Sequence, residues 1–97
     1  MKLESALSDL DAIADYIALD KPDAARRFVR RVFESVERLA RFPKIGHHPP
    51  EIPKSVYREI SVAPCRIFYR YDQKIIYIVF VMRAEREFLE SSLESRE

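Results

Sequence analysis

The sequence predicts an α+β domain in which an N-terminal antiparallel helical hairpin packs on one face of an antiparallel β-sheet. Two observations carry that reading. Apolar residues recur with the helical period of 3.6 as far as residue 41, and with the strand period of two from residue 56 onward. Between the two regimes lies a stretch holding four of the six prolines and the only glycine, Gly46. Prolines at that density stop a helix and impose an irregular loop.

The first helix is marked by Ala6, Leu7, Leu10, Ile13, Ala14 and Ile17, with Asp9, Asp11 and Asp15 off the stripe, and is expected to end near Leu19. Asp20-Lys21-Pro22-Asp23 suits a break and a restart. Pro22 fits a first helical turn, where its missing N–H is no loss, Asp20 is placed to cap, and Asp23 favours the positive end of the helix dipole. The second helix is expected over residues 23–41. Its stripe is Ala25, Phe28, Val29, Val32, Phe33, Val36, Leu39 and Ala40, and charged residues fill the other face, Arg26, Arg27, Arg30 and Arg31 without nearby acidic partners. A first strand follows, with Val56, Arg58, Ile60 and Val62 on one face and Tyr57, Glu59 and Ser61 on the other. Ala63-Pro64 leaves room only for a hairpin. In the second strand Cys65, Ile67, Tyr69 and Tyr71 alternate with Arg66, Phe68 and Arg70. After a turn at Asp72-Gln73-Lys74 comes Ile75 to Met82, apolar throughout, the pattern of a strand covered on both faces or central in its sheet. The tail, residues 85–97, is acidic and carries Phe88, Leu89 and Leu93, spaced for a short helix or a loose segment.

At 97 residues the chain is expected to form one domain, residues 1–97, with a single core. One cysteine rules out an internal disulfide and a thiolate zinc site. The N-terminus has no apolar signal region and the longest apolar run is far shorter than a membrane span, so the expected location is the cytoplasm, with no membrane partner. The net charge is only +1, but residues 1–20 carry −4, residues 84–97 carry −3 and residues 21–83 carry +8. A basic middle between acidic ends favours an acidic partner, polypeptide or nucleic acid.

Several chemistries lack their residues. A phosphate-binding glycine loop cannot be built from one glycine. His47 and His48, with Glu51 nearby, fit no metal-ligand spacing and read as a solvated loop, so no metal and no cofactor is expected. Cys65 has no histidine outside that loop to activate it and reads as a small buried residue. The arginines remain. Arg58, Arg66, Arg70 and Arg83 sit on or beside strands, where a guanidinium is costly unless paired. Beside Phe68 they can bind phosphates, stack on bases or meet carboxylates of a protein partner. The alternative is that Arg66 and Arg70 snorkel from the sheet and pair with Glu59 or Asp72.

From Ala6 to about Arg86 the chain resembles the RelE/ParE superfamily of bacterial and archaeal type II toxins, and its ParE branch most closely. The marks are Ala6-Leu7-Ser8-Asp9-Leu10, Ile13-Ala14-Asp15-Tyr16-Ile17-Ala18, Pro22-Asp23-Ala24-Ala25 with Phe28-Val29, Leu39-Ala40-Arg41-Phe42-Pro43 with Gly46, Tyr57-Arg58-Glu59, and Arg66-Ile67 with Tyr69-Arg70. The family fold, a helical hairpin against an antiparallel sheet, agrees with the periodicities.

The resemblance implies a toxin neutralised by a cognate antitoxin whose acidic C-terminal segment wraps it. ParE-like toxins poison DNA gyrase, whereas RelE-like relatives cut messenger RNA in the ribosome. Three functions follow: gyrase inhibition by direct contact, a ribosome-dependent endoribonuclease, or a toxin-like module that only binds its partner. Contacts to target or antitoxin are expected at Arg58, Arg66, Phe68, Arg70, Arg83 and Arg86. If the chain were an RNase, Arg66 and Arg83 would be its catalytic residues. The sequence departs from the RNA-cutting relatives at Ala84, where they carry an arginine, and no tyrosine or histidine follows in the tail as acid or base. Cys65 stands where relatives often have an aromatic. Only Met1 to Glu4 precede the first helix, so the N-terminal strand of many relatives is expected to be short or missing, with one sheet edge open or covered by the antitoxin.

Overall fold

The two periodicities resolve into two layers. A computed structural model describes residues 4–94 as α1 (Glu4–Ala18), α2 (Pro22–Arg41), β1 (Arg58–Val62), β2 (Cys65–Asp72), β3 (Ile75–Arg83) and a one-turn α3 (Ser91–Glu94). The three strands form an antiparallel sheet in the order β1-β2-β3, and the expected helical hairpin lies across one face. The expectation of a reduced N-terminal strand concerns residues 1–3, which lie outside the described residues, as do 95–97 of the tail.

The helix stripes meet the inner sheet face. Ala6 and Leu10 of α1, Phe28, Val32, Val36 and Leu39 of α2, and Val62, Cys65, Ile67, Tyr69, Ile76, Ile78 and Val81 of the strands make one core, with Ile13, Ile17, Val29 and Ile60 at its border. Burying a side chain such as Phe28 or Leu39 contributes about 2 kcal/mol. The stripes are narrower than the sequence suggests, since Leu7, Phe33 and Ala40 remain exposed. A two-helix layer meets the sheet along only one side of each helix.

Local chemistry sets the joins. Lys21, not Asp20, is the N-cap of α2, and no side-chain capping bond forms. Pro22 at the first helical position holds the residue before it extended, which places the helix boundary at Lys21. Arg26 does have an acidic partner, Asp23, and Arg31 Nη2 donates to the Ala63 carbonyl at 2.6 Å. The first strand begins at Arg58 rather than Val56, because Ser55 Oγ accepts the Tyr57 amide and holds that end in a turn. The β2–β3 hairpin turns through Gln73 and Lys74, both with positive φ (48° and 66°), the two-residue geometry that matches strand twist.

β3 is an edge of the described sheet rather than its centre, and is nonetheless covered on both faces. A bulge opposite Phe68 and Tyr69 shifts its phase, so that Ile78 and Val81 face the helices while Val79 and Met82 face away. Away from the helices, Phe68, Val79, Met82 and Leu93 make a second small core, bordered by Ile52, Tyr57, Tyr77, Phe80 and Phe88. The proline loop and the tail supply its cover.

Tyr69, on the central strand, pins that loop. Its hydroxyl accepts the Gly46 amide at 2.9 Å and donates to the Pro43 carbonyl at 2.8 Å. A Cβ on Gly46 would lie 2.7 Å from both the Tyr69 hydroxyl and the Glu59 carbonyl, so close approach rather than backbone freedom requires glycine there. Tyr69→Phe removes both bonds and leaves their partners under cover. It is expected to lower stability by about 1–3 kcal/mol in urea unfolding, with faster amide exchange at Gly46.

Candidate functional site

The strand arginines all lie where strand register puts them, and nearly all are engaged within the chain. Arg66, on the outer face of β2, stands diagonally across from Glu59 of β1 and below Glu51 of the loop. Its Nε and Nη2 donate to the two oxygens of Glu59 at 3.3 and 2.5 Å, and its Nη1 and Nη2 donate to the two oxygens of Glu51 at 2.9 and 2.8 Å. Its Cζ lies 4.9 Å from the Phe68 ring centroid and 5.8 Å from that of Phe88. The side chain is 13% exposed and that of Glu59 only 6%. The hydrogen bond from Arg66 holds Glu51 below the usual carboxylate range, and the bonds to Glu51 and Glu59 push the guanidinium further up.

Both loop histidines are structured. His47 exchanges main-chain bonds with Glu59 (3.1 and 2.7 Å), and its Nε2 lies 3.2 Å from Glu59 Oε1. His48 Nδ1 donates to the Tyr57 carbonyl at 2.8 Å. One arginine between two carboxylates makes this group net negative while the histidines are neutral. A region that reads in sequence as a cationic strand face therefore carries, at its centre, an excess of negative charge.

The remaining candidates divide between the two faces and the strand ends. Arg58 reaches back to the loop, donating to the Gly46 carbonyl at 2.8 Å and to Lys44 at 3.4 Å. Phe68 is fully buried, stacked on Phe80 and tilted against Phe88. Arg70 lies over Tyr77, Cζ to centroid 3.9 Å, and 3.7 Å from Asp72. The alternative pairings, Arg66 with Glu59 and Arg70 with Asp72, are thus both present. Arg83, at the end of β3, bonds Glu85 at 2.5 Å and lies 5.9 Å from the Tyr16 ring. Arg86 is exposed in the turn that follows, its amide bonded to the Arg83 carbonyl.

The chain thus brings Arg66, Phe68 and Phe88 together as one packed group and sets Arg83 and Arg86 apart, both lining a groove between α1 and β3. Sequence reasoning missed Glu51, whose partner is fifteen residues away across a proline loop. It also missed Tyr16, which presents an aromatic ring beside Arg83. A nucleophilic thiol is disfavoured, since burial pushes Cys65 up to about 11. Among the described residues no group of three or more His, Cys, Asp or Glu has the geometry to hold a metal ion, and no helix is long and apolar enough to cross a membrane.

Comparison with known proteins places this geometry in a family. The family described as ParE toxin of type II toxin-antitoxin system, parDE, matches residues 3–88. The chain is 37% identical over 82 residues to the Sinorhizobium fredii protein Y4kP, spanning 84% of this chain and 83% of that protein. It is 33% identical over 82 residues to Toxin RelE2 of Caulobacter vibrioides, spanning 84% and 89%. Among solved structures it is similar to the chromosomal ParDE TA system from P. aeruginosa, with TM-score 0.66 and 28% identity over 82% of this chain and 88% of that one.

The Arg66 group makes two expectations. Arg66→Ala leaves the Glu59 carboxylate buried without its cation and should lower stability by about 3 kcal/mol in urea unfolding. Because the Glu51 carboxyl is depressed, its contribution is complete above the ordinary value of 4.5 and is lost as pH falls through the lower folded value. Glu51→Gln should therefore flatten the fall of the urea midpoint between neutral pH and pH 3. Added salt should shrink the difference, since Glu51 is partly exposed.

Proposed function

The chain belongs to the ParE toxin family of type II toxin–antitoxin systems, and from that premise we propose that it inhibits DNA gyrase by direct protein contact. A cognate antitoxin with an acidic C-terminal segment holds it inactive, and the toxin acts in the cytoplasm. The observation that carries this reading is the double fork of Arg66. A nuclease that stabilises a phosphate transition state needs a guanidinium able to reach the phosphate, and here that group has four hydrogen bonds to two carboxylates and an aromatic ring on each flank.

The second cation of an RNase centre fares no better. Arg83 is bonded to Glu85, and the next residue is Ala84, where the RNA-cutting relatives carry an arginine. The tail lays Phe88 and Leu93 onto the sheet instead of offering an acid or base. In this reading Arg58, Arg66, Phe68 and Arg70 keep the sheet and loop in shape, while Arg83 and Arg86 meet the partner.

The test is a gyrase supercoiling reaction with the purified protein. Inhibition is expected, and Arg83→Ala combined with Arg86→Ala should weaken it about tenfold while Arg30→Ala leaves it unchanged. Intact supercoiling together with codon-dependent mRNA cleavage in a translating extract would overturn the proposal in favour of the ribonuclease. Intact supercoiling and intact mRNA would leave a module that only binds its partner.

A further inference from the structure

Six arginines lie on α2, and two of them are engaged by the chain itself. Arg26 pairs with Asp23, and Arg31 donates to the Ala63 carbonyl. Arg27, Arg30, Arg38 and Arg41 are exposed, and none of the four has a hydrogen bond or ion pair among the described residues. Arg41 rests over the Phe42 ring, Cζ to centroid 5.8 Å.

The positions of these four repeat. Arg27 and Arg30 are three residues apart, as are Arg38 and Arg41, and eleven residues separate one pair from the other. Eleven residues make close to three helical turns, so both pairs stand on one side of α2, about 16 Å apart along its axis. That side is opposite the buried stripe of Phe28, Val32, Val36 and Leu39. Glu34 and Glu37 lie between the pairs and are exposed. The helix has no glycine, and its only proline is at its first position, so a continuous frame holds the cations.

We propose that this side of α2 binds duplex DNA, laid across the major groove so that one arginine pair meets the phosphates of each flanking backbone. The groove is about 12 Å wide between its walls, and pairs about 16 Å apart reach both rows of phosphate. Guanidinium groups are suited to phosphate oxygens, which they meet with two parallel donors. Glu34 and Glu37 then stand over the open groove. A single strand, with phosphate at every step, would run past both carboxylates instead. Duplex RNA fits less well, because its major groove is deep and narrow. So does an acidic protein, whose interface needs an apolar centre. Between Arg27 and Arg41 this side of the helix carries arginine and glutamate, with Phe33 at its border. Contacts to phosphate alone carry no sequence information. The inference goes beyond the gyrase reading and does not rest on it, since that reading uses Arg83 and Arg86.

The test is fluorescence anisotropy of a labelled duplex of about 20 base pairs with the purified full chain, between about 50 and 200 mM salt. Affinity is expected to fall with salt on a log–log slope of about −3.6, the value for four phosphates. Two duplexes of unrelated sequence should bind equally. Arg27→Gln combined with Arg38→Gln should bring the slope to about −1.8 and weaken binding about tenfold at the lowest salt, with an unchanged urea midpoint. Glu34→Arg combined with Arg38→Glu preserves net charge but breaks the repeat, and should weaken binding about fivefold. Wild-type affinity in that variant would show a response to net charge alone and overturn the geometry. Absence of binding at the lowest salt, an unaltered slope without Arg27 and Arg38, or loss of binding in Arg83→Ala with Arg86→Ala would each remove the assignment to α2. Tighter binding of duplex RNA, of a single strand or of polyglutamate would replace DNA as the occupant. Gyrase is absent from this measurement, so its failure leaves the gyrase reading standing, and failed inhibition of supercoiling leaves this one standing.

Discussion

Among the described residues the α1–α2 layer covers one face of the sheet, so the structure depends on what closes the other. That closure is fastened by Arg66. One guanidinium bonds Glu59 of the neighbouring strand and Glu51 of the proline loop, and lies between the rings of Phe68 and Phe88. Three segments distant in sequence (the loop, the sheet and the tail) are thereby tied at one point. The apolar contacts of Ile52, Tyr57, Phe88 and Leu93 around it exclude water and strengthen those bonds. The arrangement also carries a liability. A pair this buried contributes little beyond what an apolar replacement would, but breaking it on one side strands a charge.

That constraint reverses the first reading of the strand arginines. Cations interleaved with aromatics on a strand have the composition of a nucleic-acid surface, yet each neighbouring carboxylate offsets one of them. The excess positive charge of residues 21–83 sits elsewhere, much of it on the exposed side of α2 with Arg27, Arg30, Arg38 and Arg41. A basic segment therefore does not identify a basic site. What matters is which cations retain hydrogen-bonding capacity toward a partner, and that is decided by pairings made across long sequence separations.

The same distinction explains how much was legible in the sequence. Elements defined by one period were readable: both helices, the strand alternation of Ile60 to Val62 and Cys65 to Tyr69, and the hairpin at Ala63-Pro64 depend on residues within a few positions of one another. The pairings of Arg66 with Glu59 and Arg70 with Asp72 were readable as alternatives because strand register brings them close. Glu51 was not, since a loop rich in proline gives no period from which to project a side chain. The edge position of β3 was hidden for a different reason. An all-apolar strand signals cover on both faces, and here the second cover is loop and tail rather than a helix layer or further strands. Asp20 failed as a cap because Pro22 fixes the boundary one residue later, a backbone effect stronger than a side-chain preference.

In the described sheet the outward edge of β3 is capped by side chains of α1, a device that keeps an edge strand from pairing with other chains. Ser5 and Asp9, one helical turn apart on α1, face successive outward groups of β3, Val79 and Val81. Ala12 and Tyr16 follow on the same helix face at the next turns, where alanine has no polar atom and the tyrosine ring lies beside Arg83. α1 therefore seals the outward edge of β3 with its first half, through Ser5 and Asp9. Asp9, which the periodicity sets off the apolar stripe, is the residue that takes the Val81 amide.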